Sequence, residues 1–238
     1  MRPATVNLRD EAMVYKWLVN ILDALLPARC PLCGEAVSGG GFCPGCLAGL
    51  PWIGHACRRC GLPLPATAGE LCGRCLKQPP AFDRTLAPLA WRAPIDRLVH
   101  ALKFREGLHL VGPLAGLWQP AERPEALIPV PLHPARLRER GFNQADLLAR
   151  AAGSRLGIPV LSPCRRRRAT PPQHRLDARA RRRNLAGAFA CTGLPGHLRH
   201  VALVDDVMTT GSTLEALARA LRARDGLRVD AWVLARVE

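Results

Sequence analysis

The sequence predicts an α/β protein: a mainly parallel sheet with helices on both faces, preceded by a small module that binds metal through cysteines. Three observations carry that expectation. From residue 84 onward, short apolar runs alternate with amphipathic segments, the pattern of strands joined by helices. Eight of the ten cysteines fall in four C-x-x-C pairs ahead of residue 76. The stretch VALVDDVMTTGST, 201–213, ends a buried apolar run in two aspartates and a hydroxyl-rich turn that leads into a helix.

With 238 residues, 48% of them hydrophobic and 22% charged, the chain describes a soluble globular protein able to bury a core. No apolar run reaches the ~18 residues of a membrane span. Residues 1–29 read as an amphipathic helix. Met13, Trp17, Ile21 and Leu25 fall on one helical stripe, whereas Lys16, Asn20 and Asp23 interrupt the apolar centre that a signal peptide requires. That stripe packs on the rest of the chain or docks a partner protein or a membrane surface.

Residues 30–79 read as a double zinc ribbon. Cys30/Cys33, Cys43/Cys46, Cys57/Cys60 and Cys72/Cys75 each present two thiolates to one ion, and two such turns close a tetrahedral site. Nine residues separate the first two pairs and eleven the next two, enough for a hairpin each. Pairing in sequence order is favoured, although spacing alone leaves interleaved pairing open. Repeated C-x-x-C pairs are a metal pattern of a reducing compartment, so the cytoplasm is expected. His55 reads as a bystander, and Cys164 and Cys191 as apolar fillers. The module holds four basic and two acidic side chains, and eight thiolates with two Zn²⁺ bring it near −2. Such a surface suits a structural module or a protein-docking platform better than a polyphosphate trap. QPPAF, 78–82, marks the joint to the domain at 80–238.

In that domain RTLAPLAW (84–91) reads as a strand, and 93–104 and 107–118 as helices. EALIPVPL (125–132) reads as a buried strand and 143–157 as a helix. Short strands are expected near 158–161 and 187–190. Residues 201–221 supply a strand and a helix, and 228–237 the last strand. Ligands of such sheets bind beyond the carboxyl ends of the strands, where Asp205–Thr213 falls. A turn between strand and helix frees backbone N–H groups for a phosphate, and Thr209, Thr210, Ser212 and Thr213 add hydroxyls. Two carboxylates directly upstream would repel that phosphate. They fit instead against vicinal sugar hydroxyls or Mg²⁺, so the pattern matches a sugar 5-phosphate.

VALVDDVMTTGST resembles the phosphoribosyl-pyrophosphate (PRPP) motif of type I phosphoribosyltransferases. The resemblance implies that Asp205 and Asp206 are the catalytic acids, contacting the ribose hydroxyls. It also implies that Thr209, Thr210, Gly211, Ser212 and Thr213 cradle the 5-phosphate. Purine-salvage members carry an aspartate at the position of Thr209, which disfavours purine salvage. IPVPLHPARLRERGFNQADLLA (128–149), PPQHRLDARARRRNLAGAF (171–189) and the cysteine-rich front together resemble the ComF family, linked to DNA uptake in natural competence, over nearly the whole chain. The phosphoribosyltransferase likeness points to Val130–Arg140 as the pyrophosphate loop, with Val130, Pro131, His133, Arg136, Arg138 and Arg140 as its candidates.

Segment 165–183 holds nine arginines against Asp177 alone, which supplies +8 of the chain's formal +15. By resemblance it occupies the place of the hood that closes over PRPP; a single-stranded DNA arm is the alternative. Two function classes follow. One is an Mg²⁺-dependent PRPP-binding phosphoribosyltransferase of unassigned acceptor. The other is a non-catalytic nucleic-acid-binding or adaptor protein of DNA uptake that keeps the fold.

Overall fold

The computed structural model describes residues 28–103, 105–167, 187–222 and 226–238. The expected N-terminal helix, up to residue 27, and residues 168–183 of the arginine segment lie outside the described residues. The chain divides into two compact units, Met1–Gly49 and Leu50–Glu238.

Both ribbons follow one plan. In the first, Arg29 and Ala36 pair across a knuckle closed by Cys30 N donating to Glu35 O at 2.8 Å, and a short helix follows (α1, Pro44–Ala48). In the second, Ala56 pairs with Pro63, Cys57 N donates to Leu62 O at 2.8 Å, and α2 spans Gly73–Lys77. The second ribbon belongs to the unit that carries the sheet. Residues 51–58 run antiparallel along the sheet's edge: Ala90 N donates to Pro51 O, Ile53 N to Pro88 O and Thr85 N to Arg58 O.

The main sheet consists of β1 (Thr85–Leu86), β2 (Leu89–Ala90), β3 (Ala126–Pro129), β6 (His200–Met208) and β7 (Arg228–Arg236). All run parallel, in the order β1/β2–β7–β6–β3. The long strands β6 and β7 are almost continuously apolar because both of their faces are covered. On one face the helix α7 (Ser212–Leu221) packs Leu214, Leu217 and Leu221 against Val201, Leu203, Val229 and Val233. On the other, Trp118 lies 6.0 Å from Trp232 and donates its indole N–H to Val233 O. Arg155 of α6 (Gln144–Leu156) holds the Trp118 carbonyl at 2.6 Å, which places α6 on this second face.

Several elements differ from the sequence reading. The strand expected over 84–91 is two short ones, since Pro88 has no N–H to donate and its carbonyl serves Ile53. After α3 (Ile95–Leu102), the expected helix over 107–118 is a 3₁₀ turn, Arg105–Leu110, followed by a short α4, Val111–Ala115. Gly112, Pro113 and Gly116 weaken the longer helix. The strand near 158–161 is a single bridge, Val160 beside Leu127. Residues Phe189–Cys191 (β5) leave the main sheet and pair antiparallel with an unforeseen strand, Cys164–Arg166 (β4). There Cys164 and Cys191 face each other in register and form a disulfide, not the apolar filling expected of them. No helix among the described residues is long and apolar enough to cross a membrane.

Candidate functional site

The carboxyl edge of the sheet gathers the acid pair. Strand β6 runs parallel to β3, and Val130 N donates to Val204 O, so the loop after β3 lies beside Asp205. Each aspartate accepts from the next backbone amide: Asp206 N donates to Asp205 Oδ1 at 2.9 Å, and Val207 N to Asp206 Oδ1 at 2.7 Å. Burial and the charge of Asp206 push the Asp205 carboxyl well above the ordinary carboxylate range, while Lys103 at the end of α3 acts in the opposite sense.

Beyond β6 the chain turns through Thr209 and Thr210 to Gly211, whose φ of +77° only glycine adopts readily. Gly211 opens α7 with no side-chain cap of its own; Ser212 N donates to Thr210 Oγ1 at 3.4 Å, and the other first-turn N–H groups are left to an anion. Thr210 Oγ1 lies 2.8 Å from Ser212 Oγ; Thr209 is exposed and Thr213 half-buried. The loop's backbone is held from beneath. Arg236, 4% exposed at the end of β7, donates to Met208 O at 3.2 Å and to the carbonyls of Thr209 and Val237. Its Nε donates to Cys60 O of the second ribbon at 2.8 Å, and Arg74 of the same ribbon reaches Thr210 O at 3.5 Å.

The region expected to be a pyrophosphate loop over 130–140 is shorter than that. Residues 134–140 form a helix, α5 (Pro134–Arg140), because Pro134 suits its first turn, His133 caps it and Gly141 closes it. His133 is committed to that cap, its Nδ1 accepting from Ala135 N at 3.2 Å. Val130 O accepts from Asn143 Nδ2, and Pro131 follows it in the remaining loop. Arg136 comes close enough to Arg166 of β4 that its charge, after burial, lowers the Arg166 guanidinium, while Asp205 counteracts both. Arg166 and Lys103 thus act on Asp205, and Arg136 acts on Arg166, whereas Arg138 is exposed on α5 and Arg140 sits in its last turn. Asn143 caps α6 as its place before that helix implies, accepting from Ala145 N at 3.1 Å. Beside it Gln144 is 3% exposed, and its buried Nε2 has no hydrogen-bond partner among the described residues.

Sequence reasoning missed Arg236, Arg74 and Lys103. Only Arg236 carried a signal: an arginine inside the otherwise apolar run AWVLARV.

The eight paired cysteines form two clusters in sequence order, Cys30/Cys33/Cys43/Cys46 and Cys57/Cys60/Cys72/Cys75, with the sulfurs of each within 4.8 Å of one another. Burial pushes the Cys30 and Cys57 thiols up, yet backbone N–H groups aimed at the sulfurs more than offset it, leaving them at about 6 and about 7. Cys46 is pushed up to about 12 by its hydrogen bonds with Cys33 and Cys43, and burial with Cys60 raises Cys75. Each thiolate makes the next costlier, and a divalent cation relieves all four. The donor sets therefore fit two structural Zn²⁺ ions.

In class this is a double-zinc-ribbon protein joined to a parallel α/β domain, and the double zinc ribbon domain model matches residues 21–76. The chain is 37% identical to DNA utilization protein YhgH of Salmonella typhimurium LT2 over 224 residues, 89% of this chain and 98% of that protein. It is 38% identical to competence protein F of Haemophilus influenzae over 212 residues, 82% of this chain and 90% of that one. The chain belongs to the ComF family, which holds both relatives. A solved purine phosphoribosyltransferase from Pyrococcus horikoshii Ot3 matches 64% of this chain and 87% of its own, at 17% identity and a TM-score of 0.29. A match that loose carries no argument about chemistry.

Proposed function

We propose that this is a PRPP- and Mg²⁺-binding, phosphoribosyltransferase-like protein acting in DNA utilisation, the role its relatives' names carry. One observation supports it above the others. Asp205 and Asp206 lie near the carboxyl end of a central strand, with only Val207 and Met208 between them and the Thr209–Gly211 turn into α7, and the charges of Lys103 and Arg166 act on Asp205 while Arg136 acts on Arg166.

In this reading the first-turn amides of α7 and the hydroxyls of Thr210 and Ser212 hold the 5-phosphate. Asp205 and Asp206 take the ribose hydroxyls. Arg136, Arg166 and Lys103 hold the pyrophosphate and stabilise its charge as it leaves C1. Gln144 Nε2 is a buried donor at the same edge in need of an acceptor. Mg²⁺, when bound with PRPP, neutralises the pyrophosphate oxygens. The eight free zinc-cluster thiols support a reducing compartment such as the cytoplasm. Thr209 favours a second reading, an adaptor that binds PRPP without transferring it, because its hydroxyl cannot manage an acceptor's proton as a carboxylate would.

Calorimetric titration with PRPP and Mg²⁺ tests the proposal. The parent binds, and Asp205→Asn/Asp206→Asn abolishes binding with fold and zinc content unchanged. Thr210→Val weakens it by about 1.5–3 kcal/mol, the size of a hydrogen bond to a charged group. A double variant that binds as tightly as the parent, or a parent that does not bind, overturns the proposal. With PRPP bound, a screen of acceptors for pyrophosphate release separates enzyme from adaptor.

A further inference from the structure

Strands β4 and β5 stand apart from the main sheet, and among the described residues their strand pairing is with each other alone. Each has three residues, little for a hairpin, since an isolated two-stranded pair is marginal in water. Thr192 N donates to Pro163 O at 2.9 Å at one end, and Arg167 N to Ala188 O at 2.8 Å at the other. By the alternation of an antiparallel ladder, Cys164/Cys191 and Arg166/Phe189 then fall at its non-hydrogen-bonded positions, where facing side chains come closest. Residues two apart on a strand share a face, so the disulfide and the Arg166/Phe189 pair are neighbours. The Arg166 guanidinium lies over the Phe189 ring, 5.7 Å from its centre. Cys164 and Phe189 are buried in the core with Leu203 and Leu217. The same guanidinium and Asp205 act on each other, so this hairpin brings a charge from outside the main sheet to the acid pair.

We infer that Cys164 and Cys191 are a reversible thiol–disulfide switch that fixes Arg166 beside the acid pair when oxidised and releases it when reduced. The other eight cysteines are free thiols in two clusters suited to zinc, which supports a reducing compartment. A disulfide in such a compartment is as a rule transient and redox-sensing, not a structural staple. Cys191 is half-buried, within reach of a small disulfide, whereas Cys164 is buried. Arg165, Arg166 and Arg167 directly follow Cys164, and a cationic setting favours the thiolate that performs exchange. In the oxidation the Cys191 thiolate attacks a low-molecular-weight disulfide such as oxidised glutathione, and one thiolate leaves. The Cys164 thiolate then attacks the Cys191 sulfur and releases the second. The protons given up by the two protein thiols pass through water to the two departing thiolates, so one disulfide replaces another. Reduction runs the same steps backwards. The effect on anion binding rests on the PRPP reading; the exchange itself and the order of the hairpin do not.

The zinc-loaded protein, equilibrated in glutathione buffers from mostly reduced to mostly oxidised, is trapped with N-ethylmaleimide and mapped by mass spectrometry. Cys164 and Cys191 are expected to pass from dithiol to disulfide across the series with zinc content unchanged. A pair that stays dithiol in excess oxidised glutathione, or disulfide in excess reduced glutathione, overturns the switch. Hydrogen exchange reads the hairpin without any ligand: the amides of Arg167 and Thr192 should exchange at least about tenfold faster after reduction, as local opening becomes easier. An unchanged rate sinks the switch as well. Calorimetric titration with PRPP and Mg²⁺ reads the regulation, and reduction should weaken binding by about fivefold or more, the low end of ordinary coupling between sites. Cys164→Ala/Cys191→Ala should bind like the reduced parent in either buffer; if it fails to fold by circular dichroism, Cys191→Ser takes its place. Arg166→Gln should bind weakly in both buffers and lose the redox difference. Equal affinity in the two states of the parent, or a redox difference that survives in the cysteine variant or in Arg166→Gln, overturns control through this hairpin. A parent that binds PRPP in neither state defeats the PRPP reading alone, and hydrogen exchange then decides the switch.

Discussion

In the first ribbon Cys33 is exposed and Cys46 half-buried, and the space around the Gly34 α-carbon is open. In the second, all four cysteines are buried, Leu62, Leu64 and Leu71 pack on them, and the corresponding glycine, Gly61, presses on Thr85. The C-x-x-C spacing within each pair and the knuckle hydrogen bonds are alike, so the knuckles themselves do not cause the difference. It arises from what the knuckle packs on. Residues 51–58 extend the sheet's edge, Arg59 reaches Phe82 O and Asp83, and Arg236 runs from Cys60 O to the carbonyls of the candidate phosphate loop. One zinc site organises its own small unit; the other is part of the sheet's foundation.

Metal removal should show the largest effect. Zinc in such modules supplies folding free energy directly. A chelator is therefore expected to take the exposed first-cluster ion early, with the near-ultraviolet circular dichroism of the buried Trp118–Trp232 pair unchanged. Loss of the second ion should carry that signal away. Site by site, Cys33→Ser should leave the unfolding midpoint of the sheet within error, and Cys75→Ser should cost it more than about 4 kcal/mol, the range of severe core lesions. Release of both ions with an intact tryptophan signal would erase the distinction between the ribbons.

A smaller effect is expected at Arg236, the link between the second ribbon and the loop. Arg236→Met keeps much of the volume and removes every donor to Cys60, Met208 and Thr209. Unsatisfied buried carbonyls of this kind cost about 1–3 kcal/mol each, reduced by the gain from no longer burying a charge. A net loss of about 3 kcal/mol in urea unfolding, with the slope unchanged, is the expected result. PRPP affinity should fall with it, because the backbone of the loop loses its support. A variant that is destabilised yet binds PRPP like the parent would sever the ribbon from the site.

The ribbons and the central strands were legible because their signals are local: fixed C-x-x-C spacing, and apolar runs in 201–208 and 228–236 broken by an acid pair or a turn. The site was legible only along the chain. The acid pair and its turn are close along the chain, whereas Lys103 and Arg166 act on Asp205, and Arg136 on Arg166, from three separate elements, and no periodicity records that. Helix α5 was hidden in an arginine-rich stretch that reads as a loop until His133, Pro134 and Gly141 are recognised as cap, first turn and stop. The β4–β5 hairpin eluded the reading because a strand of three residues with two arginines has no apolar alternation to detect. Its Cys164–Cys191 pair is a contact across 27 residues that spacing cannot announce.

The finest distinction between the ribbons lies in the two glycines. Gly34 at φ +76° and Gly61 at φ +67° both occupy the left-handed region, where alanine costs about 1–2 kcal/mol. Gly34→Ala should cost that much and no more, since an added Cβ meets nothing within 4 Å. At Gly61 the same Cβ would lie 2.8 Å from Thr85 Cγ2 and 3.3 Å from Ala87 Cβ. Thr85 cannot turn its methyl aside without losing the hydrogen bond from its Oγ1 to Arg59 O, 2.6 Å long. Overpacking should then add about 1–3 kcal/mol to the backbone cost. Thr85→Ser removes the methyl and keeps the hydroxyl, so Gly61→Ala/Thr85→Ser is expected to recover the added part and fall back to the cost of Gly34→Ala. The coupling between the two substitutions, read from a double-mutant cycle in urea, measures how firmly the second knuckle seats on β1. A coupling of zero would mean that the knuckle yields under the methyl, and that its contact with the sheet is no tighter than the open surroundings of Gly34.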